Sequence, residues 1–100
     1  MEEVKLSISE EGNGKFYIMD NEEQIAEMEI QFSEHDLTVY HTEVDPKAEG
    51  KGLAKQLLAT MVEYASSKDL KVIPLCPFVL AQFKRHPDEY AGVWNKKGSE

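Results

Sequence analysis

Apolar and polar residues alternate through the first half of the chain and then change period. Val4, Leu6 and Ile8 alternate with Lys5, Ser7 and Ser9, the mark of a half-buried strand. Glu11-Gly12-Asn13-Gly14 offers a turn with residues that tolerate positive φ, and Lys15 to Met19 returns as a second strand. Asp20-Asn21 turns again. Ala26, Met28, Ile30 and Phe32 then alternate with Ile25, Glu27, Glu29 and Gln31, the clearest period-two run in the sequence. Ser33-Glu34-His35-Asp36 leads into a fourth strand, Leu37 to Val44, in which Leu37, Val39 and His41 alternate with Thr38, Tyr40 and Thr42. Four strands joined by short turns predict an antiparallel meander.

From Gly50 the period lengthens. Leu53, Leu57, Leu58, Met61, Val62, Tyr64 and Ala65 form a helical stripe that runs to about Ser67. Lys71 to Leu75 is a short buried strand, and a strand–helix–strand crossover of this length makes it parallel to the fourth. Pro74 donates no ladder bond, so the fifth strand should splay from its neighbour and leave backbone groups for a peptide-like ligand. Cys76-Pro77 sets Cys76 as the N-cap of a second helix that continues through Phe78 and Phe83 to about His86, where Pro87 stops it. Asp88 to Trp94 is a partly apolar tail that should fold back on the body, and Asn95 to Glu100 should fray. The expected class is α+β, one domain over residues 1–100, with no internal repeat.

The chain has 100 residues, 41% of them apolar, enough for a single core without disulfides or metal. Its one cysteine cannot pair internally, and with no leader or long apolar run the expected setting is reducing and cytoplasmic, with no membrane association. Net charge is −8, divided unevenly: residues 1–49 hold 14 acids and 3 bases, residues 50–100 hold 5 acids and 8 bases. Such a chain is a poor nucleic-acid ligand, because phosphate neutralisation supplies most of that affinity. The acidic half either confers solubility or attracts a cationic partner.

The candidate chemistry lies where the strand gives way to the helix. Pro46 ends the strand, and Gly50 and Gly52 permit positive φ and a close approach of bare backbone. A helix entered through glycines points unpaired N–H groups and its positive dipole end at one spot, a site for an anion. Lys47, Lys51 and Lys55, four apart, share one side of a near-helical path. A plain turn with solvated lysines is the alternative. Neither a nucleotide P-loop nor a dinucleotide fingerprint fits, since no Gly-Lys-Ser/Thr follows and the third glycine position of the latter is Lys55.

Asp45-Pro46-Lys47-Ala48-Glu49-Gly50-Lys51-Gly52-Leu53-Ala54 resembles the pyrophosphate loop of the GNAT acyltransferase superfamily, usually Arg/Gln-x-x-Gly-x-Gly/Ala, with Lys47 in the Arg/Gln position. The chain is more similar still to very small GNAT-like proteins. These pair a His-Thr-Glu-Val strand end (His41 to Val44) with Cys-Pro-Phe/Tyr (Cys76 to Phe78) and a later His-Pro-Glu-Tyr. His86-Pro87-Asp88-Glu89-Tyr90 carries one extra residue before the glutamate, which shifts Tyr90. The resemblance spans about residues 4 to 92 and lacks the helices after the first strand and the final strands of a full-length GNAT domain.

The resemblance implies acetyl transfer from acetyl-CoA to a small-molecule or peptide amine, with a cationic acceptor in keeping with the acidic half. It places Thr42, Val44, Lys47, Glu49, Gly50, Lys51, Gly52, Leu53, Ala54 and Phe83 beside the cofactor, the amides from about Lys47 to Ala54 holding its diphosphate. The amide of Thr42 or Val44 would serve as oxyanion donor. Imidazole titrates near neutrality, so His41 is the candidate base, with Glu43 on its face acting through water, against a structural histidine. Cys76 could carry the acyl group or protonate the leaving thiolate, its thiol activated by the helix dipole, against inert packing. His35, His41, Cys76 and His86 match no zinc-ligand spacing. The alternatives to an enzyme are a CoA or acyl-CoA binding module without turnover and an interaction domain without ligand. The chain would be a monomer or weak homodimer, with Phe78, Phe83 and Trp94 in the core or at a dimer contact.

Overall fold

The computed structural model describes residues 3–96. Five strands form one sheet in the order β1-β2-β3-β4-β5: β1 Val4–Ile8, β2 Asn13–Asp20, β3 Glu23–Phe32, β4 Asp36–Val44 and β5 Lys71–Pro74. The first four are antiparallel neighbours, and β5 runs parallel to β4 after the crossover helix α1, Leu53–Ser67. Helix α2 spans Pro77–Arg85 with Cys76 at its N-cap, and a short turn of helix, α3, spans Pro87–Tyr90. The expected α+β fold is therefore the observed one.

One face of the sheet carries the core. Phe16 pairs with Met28 and Ile18 with Ala26 across β2 and β3, while Ile30 meets Val39 across β3 and β4. These residues are buried with Leu57, Met61 and Ala65 of α1 and Val79 and Phe83 of α2 in a single cluster. Both helices lie on that face, and a groove beside them is lined by Leu58 and Val62 of α1, Gln82 of α2, and His86 and Tyr90 of the α3 turn. The opposite face presents Lys15, Tyr17, Glu27, Glu29, Tyr40, His41 and Glu43, none of them buried, and no described element covers it.

Two irregularities shift which residues face the helices. Between β2 and β3 the register slips beside Ile25. Between β3 and β4, Glu29 pairs with His41 but Ile30 pairs with Val39, so Tyr40 is an extra residue. The strict alternation expected through Leu37, Val39 and His41 is thus broken, since a one-residue bulge exchanges the two faces. Thr42 and Val44, opposite Met28 and Ala26, take the helix-facing positions; His41 and Glu43 turn to the uncovered face.

The C-terminal segment closes over β5. Trp94 bridges to Val72, and the Val72 N–H donates to Val93 O at 2.6 Å. Phe83 stacks on Tyr90, centroids 4.5 Å apart, and meets Trp94 edge-on. Tyr90 is buried, and its phenol is held above its ordinary value of 10.0 by that burial and by the neighbouring Glu89 carboxylate. Asn95, expected to fray, is bonded instead: its N–H reaches Val72 O and its side-chain amide donates to Asp36 Oδ1 at 2.8 Å. The rest of the expected frayed end, residues 97–100, lies outside the described residues. No described helix is long and apolar enough to cross a membrane.

Candidate active site

After β4 the chain makes one tight turn, Pro46–Ala48, whose geometry Asp45 sets by accepting the Lys47 N–H at 2.9 Å. Ala48 N–H donates to Asp45 O at 2.8 Å and Glu49 N–H to Pro46 O at 3.4 Å. The amides of Lys47, Ala48 and Glu49 are therefore used within the fold. This corrects the expectation that the cradle begins at Lys47: a ligand would meet those three amides already bonded.

From Gly50 onward the situation reverses. Gly50 (φ 88°) and Gly52 (φ 76°) both adopt the left-handed conformation, and Gly52 is the N-cap of α1 with no side chain to cap the helix. The first helical bond is Gln56 N–H to Gly52 O. Among the described residues, no backbone acceptor meets the N–H groups of residues 50–55. Six successive donors thus lead into the positive end of a 15-residue helix. A Cβ placed on Gly50 or Gly52 would meet nothing within 4 Å, so the space in front of this backbone is open.

That space is a cavity of about 410 Å³ lined by Val44, Ala48, Glu49, Gly50, Gly52, Leu53, Ala54, Lys55 and Phe78. Six of the ten residues expected beside a cofactor are among them. Ala48, Lys55 and Phe78 were not in that set; the four-residue lysine spacing pointed to Lys55, and the Cys-Pro-Phe motif to Phe78. Lys47 and Lys51 are exposed outside the lining. Phe83 is a correction: it has no exposed surface, being enclosed between Tyr90 and Trp94, and has nothing to offer a cofactor.

The cavity leads to a gap between β4 and β5. Their ladder ends at Val39 and Pro74, and the last link is the Cys76 N–H to Val39 O bond, 2.9 Å. β4 continues five residues further, to Val44. The Asp45 N–H donates to Ile25 O, which sets the phase of the β3–β4 ladder. By alternation, His41 and Glu43 turn their backbone groups to β3, and Thr42 and Val44 turn theirs to the gap. No described backbone group from β5 or α2 meets them. A proline ends the narrow parallel pairing and leaves a slot with donors and acceptors on its β4 side.

Side chains divide between the two faces of this slot. On the helix face Thr42 Oγ1 lies 3.3 Å from Cys76 Sγ, and the thiol is 2% exposed. On the uncovered face His41 Nε2 lies 3.7 Å from Glu43 Oε2, with both side chains more than half exposed. His41 and Glu43 therefore sit together, as their shared parity implied, but across the sheet from Cys76. His35 is on the β3–β4 turn and His86 at the N-cap of α3, both exposed. Among the described residues no cluster of three His, Cys, Asp or Glu side chains could hold a metal.

The helix start, whose amides at residues 50–55 meet no backbone acceptor among the described residues, lies beside β4 residues that the β5 ladder does not reach. The family model of the GCN5-related N-acetyltransferases matches residues 15–93, and the chain belongs to that family. Its fold is similar to the solution structure of a GCN5-like protein from Staphylococcus aureus, described as a candidate N-acetyltransferase. The identity is 32% and the TM-score 0.67, over 90% of this chain and 86% of that one. A ribosomal-protein alanine N-acetyltransferase from Escherichia coli shares the fold at 19% identity and TM-score 0.60, over 66% of this chain and 43% of that enzyme. One from Brucella melitensis does so at 15% and 0.59, over 78% and 62%. Comparison with curated proteins gave no significant match.

Proposed function

We propose that the protein transfers an acetyl group from acetyl-CoA to an amine. The observation that carries this reading is the run of unbonded amides at residues 50–55, opening into the slot where Thr42 and Val44 present their own backbone groups. These residues fit a diphosphate followed by an amide-bearing arm: the amides and Lys55 would hold the anionic part, and the backbone groups of Thr42 and Val44 would hold the arm. Acetyl-CoA, when bound, supplies an acetyl group already activated as a thioester.

The protein's own groups supply the rest. The N–H groups of Thr42 and Val44 are the donors in the slot available to a developing oxyanion. His41, 3.7 Å from Glu43, would take a proton from an amine arriving over the uncovered face. Cys76, its enclosed thiol 3.3 Å from the Thr42 hydroxyl, would return a proton to a departing thiolate on the helix face. Holding both reactants along one slot contributes proximity, worth several kcal/mol of barrier at about 7–11 kcal/mol in the best cases.

A second reading, CoA binding without turnover, draws on the uncovered face, where no described element encloses an acceptor. The experiment that separates the two is incubation with acetyl-CoA and candidate amines, following free CoA and acetylated product together. Product formed at a rate that depends on enzyme concentration supports transfer. Saturable CoA binding with neither product nor CoA release would replace it with the binding module. An acetyl adduct on Cys76 in the intact mass would replace the proton-return role by a covalent one.

A further inference from the structure

Resting on the acetyl-CoA site of the transfer reading, we infer that Asp45 is a positioning residue. It holds the slot and the helix start at a fixed spacing, so that one extended ligand engages both. The two halves of the site lie on either side of it in the chain. Val44, just before it, ends β4 and turns its backbone groups to the gap. The unbonded amides begin at Gly50, after the turn that Asp45 opens. Two subsites for the ends of one ligand reinforce each other only when their separation is held to match it.

Asp45 bonds through three of its groups. Its N–H donates to Ile25 O at 2.8 Å and ties the end of β4 to β3. Its carbonyl accepts the Ala48 N–H at 2.8 Å, and its carboxylate Oδ1 accepts the Lys47 N–H at 2.9 Å. The side chain thereby caps the Pro46–Ala48 turn, and Pro46 fixes its own φ. Lys47 is exposed, and its N–H is held by that carboxylate. Ala48, 3% exposed, seats the turn in the core and also lines the cavity. Charge is not what calls for an acid here. Glu27 and Glu43 line the same hollow as Asp45, and a diphosphate is itself anionic. The carboxylate serves as a hydrogen-bond acceptor of the right length, a role that asparagine also fills.

The test titrates three ligands and follows amide shifts: CoA, which spans both halves, ADP, which carries the diphosphate, and pantetheine, which carries the arm. Asp45→Ala should weaken CoA at least about fivefold while changing ADP and pantetheine by less than about twofold. Asp45→Glu keeps the charge but sets the carboxylate one methylene further out, and should resemble alanine. Asp45→Asn keeps the acceptor and should bind CoA as the wild type does. Unchanged CoA affinity in folded Asp45→Ala and Asp45→Glu, or equal weakening of all three ligands, would overturn the positioning role. So would an asparagine variant as weak as alanine. Each of those results, in a wild type that turns over acetyl-CoA, leaves the transfer reading standing. The expected pattern in a protein that shows no turnover would keep the positioning role and remove acetyl transfer, so the two fail separately.

Discussion

Gly52 joins the backbone of the fold to its proposed chemistry, and replacing it separates the two contributions. The residue adopts φ 76°, and a Cβ there would touch nothing within 4 Å. Alanine therefore meets no clash, and its cost is the left-handed backbone alone, about 1–2 kcal/mol. Fewer unfolded conformations return about 0.4–1 kcal/mol of this, leaving a net loss near 1 kcal/mol. For a domain of 100 residues that lowers the thermal midpoint by about 4–8 °C. Asparagine tolerates the left-handed region, so Gly52→Asn should lose less than Gly52→Ala. Proline, fixed near φ −65°, should lose most. CoA affinity should follow the same order, because the amides of residues 50–55 present the ligand surface only while this conformation holds. Thermal unfolding and calorimetric CoA titration of the three variants provide the check. An alanine variant that melts and binds like the wild type, or an asparagine variant no better than alanine in both, would refute the reasoning.

Other expectations follow from individual contacts. Thr42→Val leaves the buried Cys76 thiol without its 3.3 Å partner at a cost within about 1.5 kcal/mol by chemical denaturation, but should lower turnover, and Thr42→Ser should restore it. Phe83→Ala removes a fully enclosed ring and should cost about 3–5 kcal/mol, with CoA affinity of the folded protein unchanged. Tyr90 is raised above 10.0 by burial, with Glu89 adding to the effect, so the folded state holds that proton more tightly than the unfolded chain. Its contribution is complete below pH 10 and is lost as pH rises from there through the folded value. Urea midpoints measured from pH 8 to 11 should therefore fall more steeply for the wild type than for Tyr90→Phe. His41→Ala should slow turnover with CoA affinity unchanged, and an unchanged rate would remove His41 as base.

The fold was legible where a single period governs a segment. The alternation at Ala26, Met28 and Ile30 and the stripe from Leu53 to Ala65 each have one solution in a two-layer domain, and both elements formed as expected. Cys76-Pro77 marked the start of α2, because proline restricts its own position and its neighbours, while β5 ends at Pro74, one residue short of the expected Leu75. The bulge at Tyr40 was not legible. Its only trace is that His41 is polar where the alternation calls for an apolar residue, and a period-two pattern carries no mark for an inserted residue. That one residue decides that His41 and Cys76 work from opposite faces. Phe83 was set beside the cofactor by the resemblance, whereas it lies in the core, the other place expected for it; its stacking with Tyr90 and Trp94 depends on a tail whose packing no local pattern encodes. Lys55 was visible as the third of three spaced lysines, yet only the path of the turn shows that it lines the cavity while Lys47 and Lys51 stand outside it.

The measurement that bears most directly on the account is a two-dimensional amide spectrum of the labelled protein titrated with CoA. The account predicts large, saturable shifts at the amides of residues 50–55 and at Thr42 and Val44, with Lys47, Ala48 and Glu49 moving less because they already have partners. A saturating titration that leaves 50–55 in place, or moves a different surface, would contradict it.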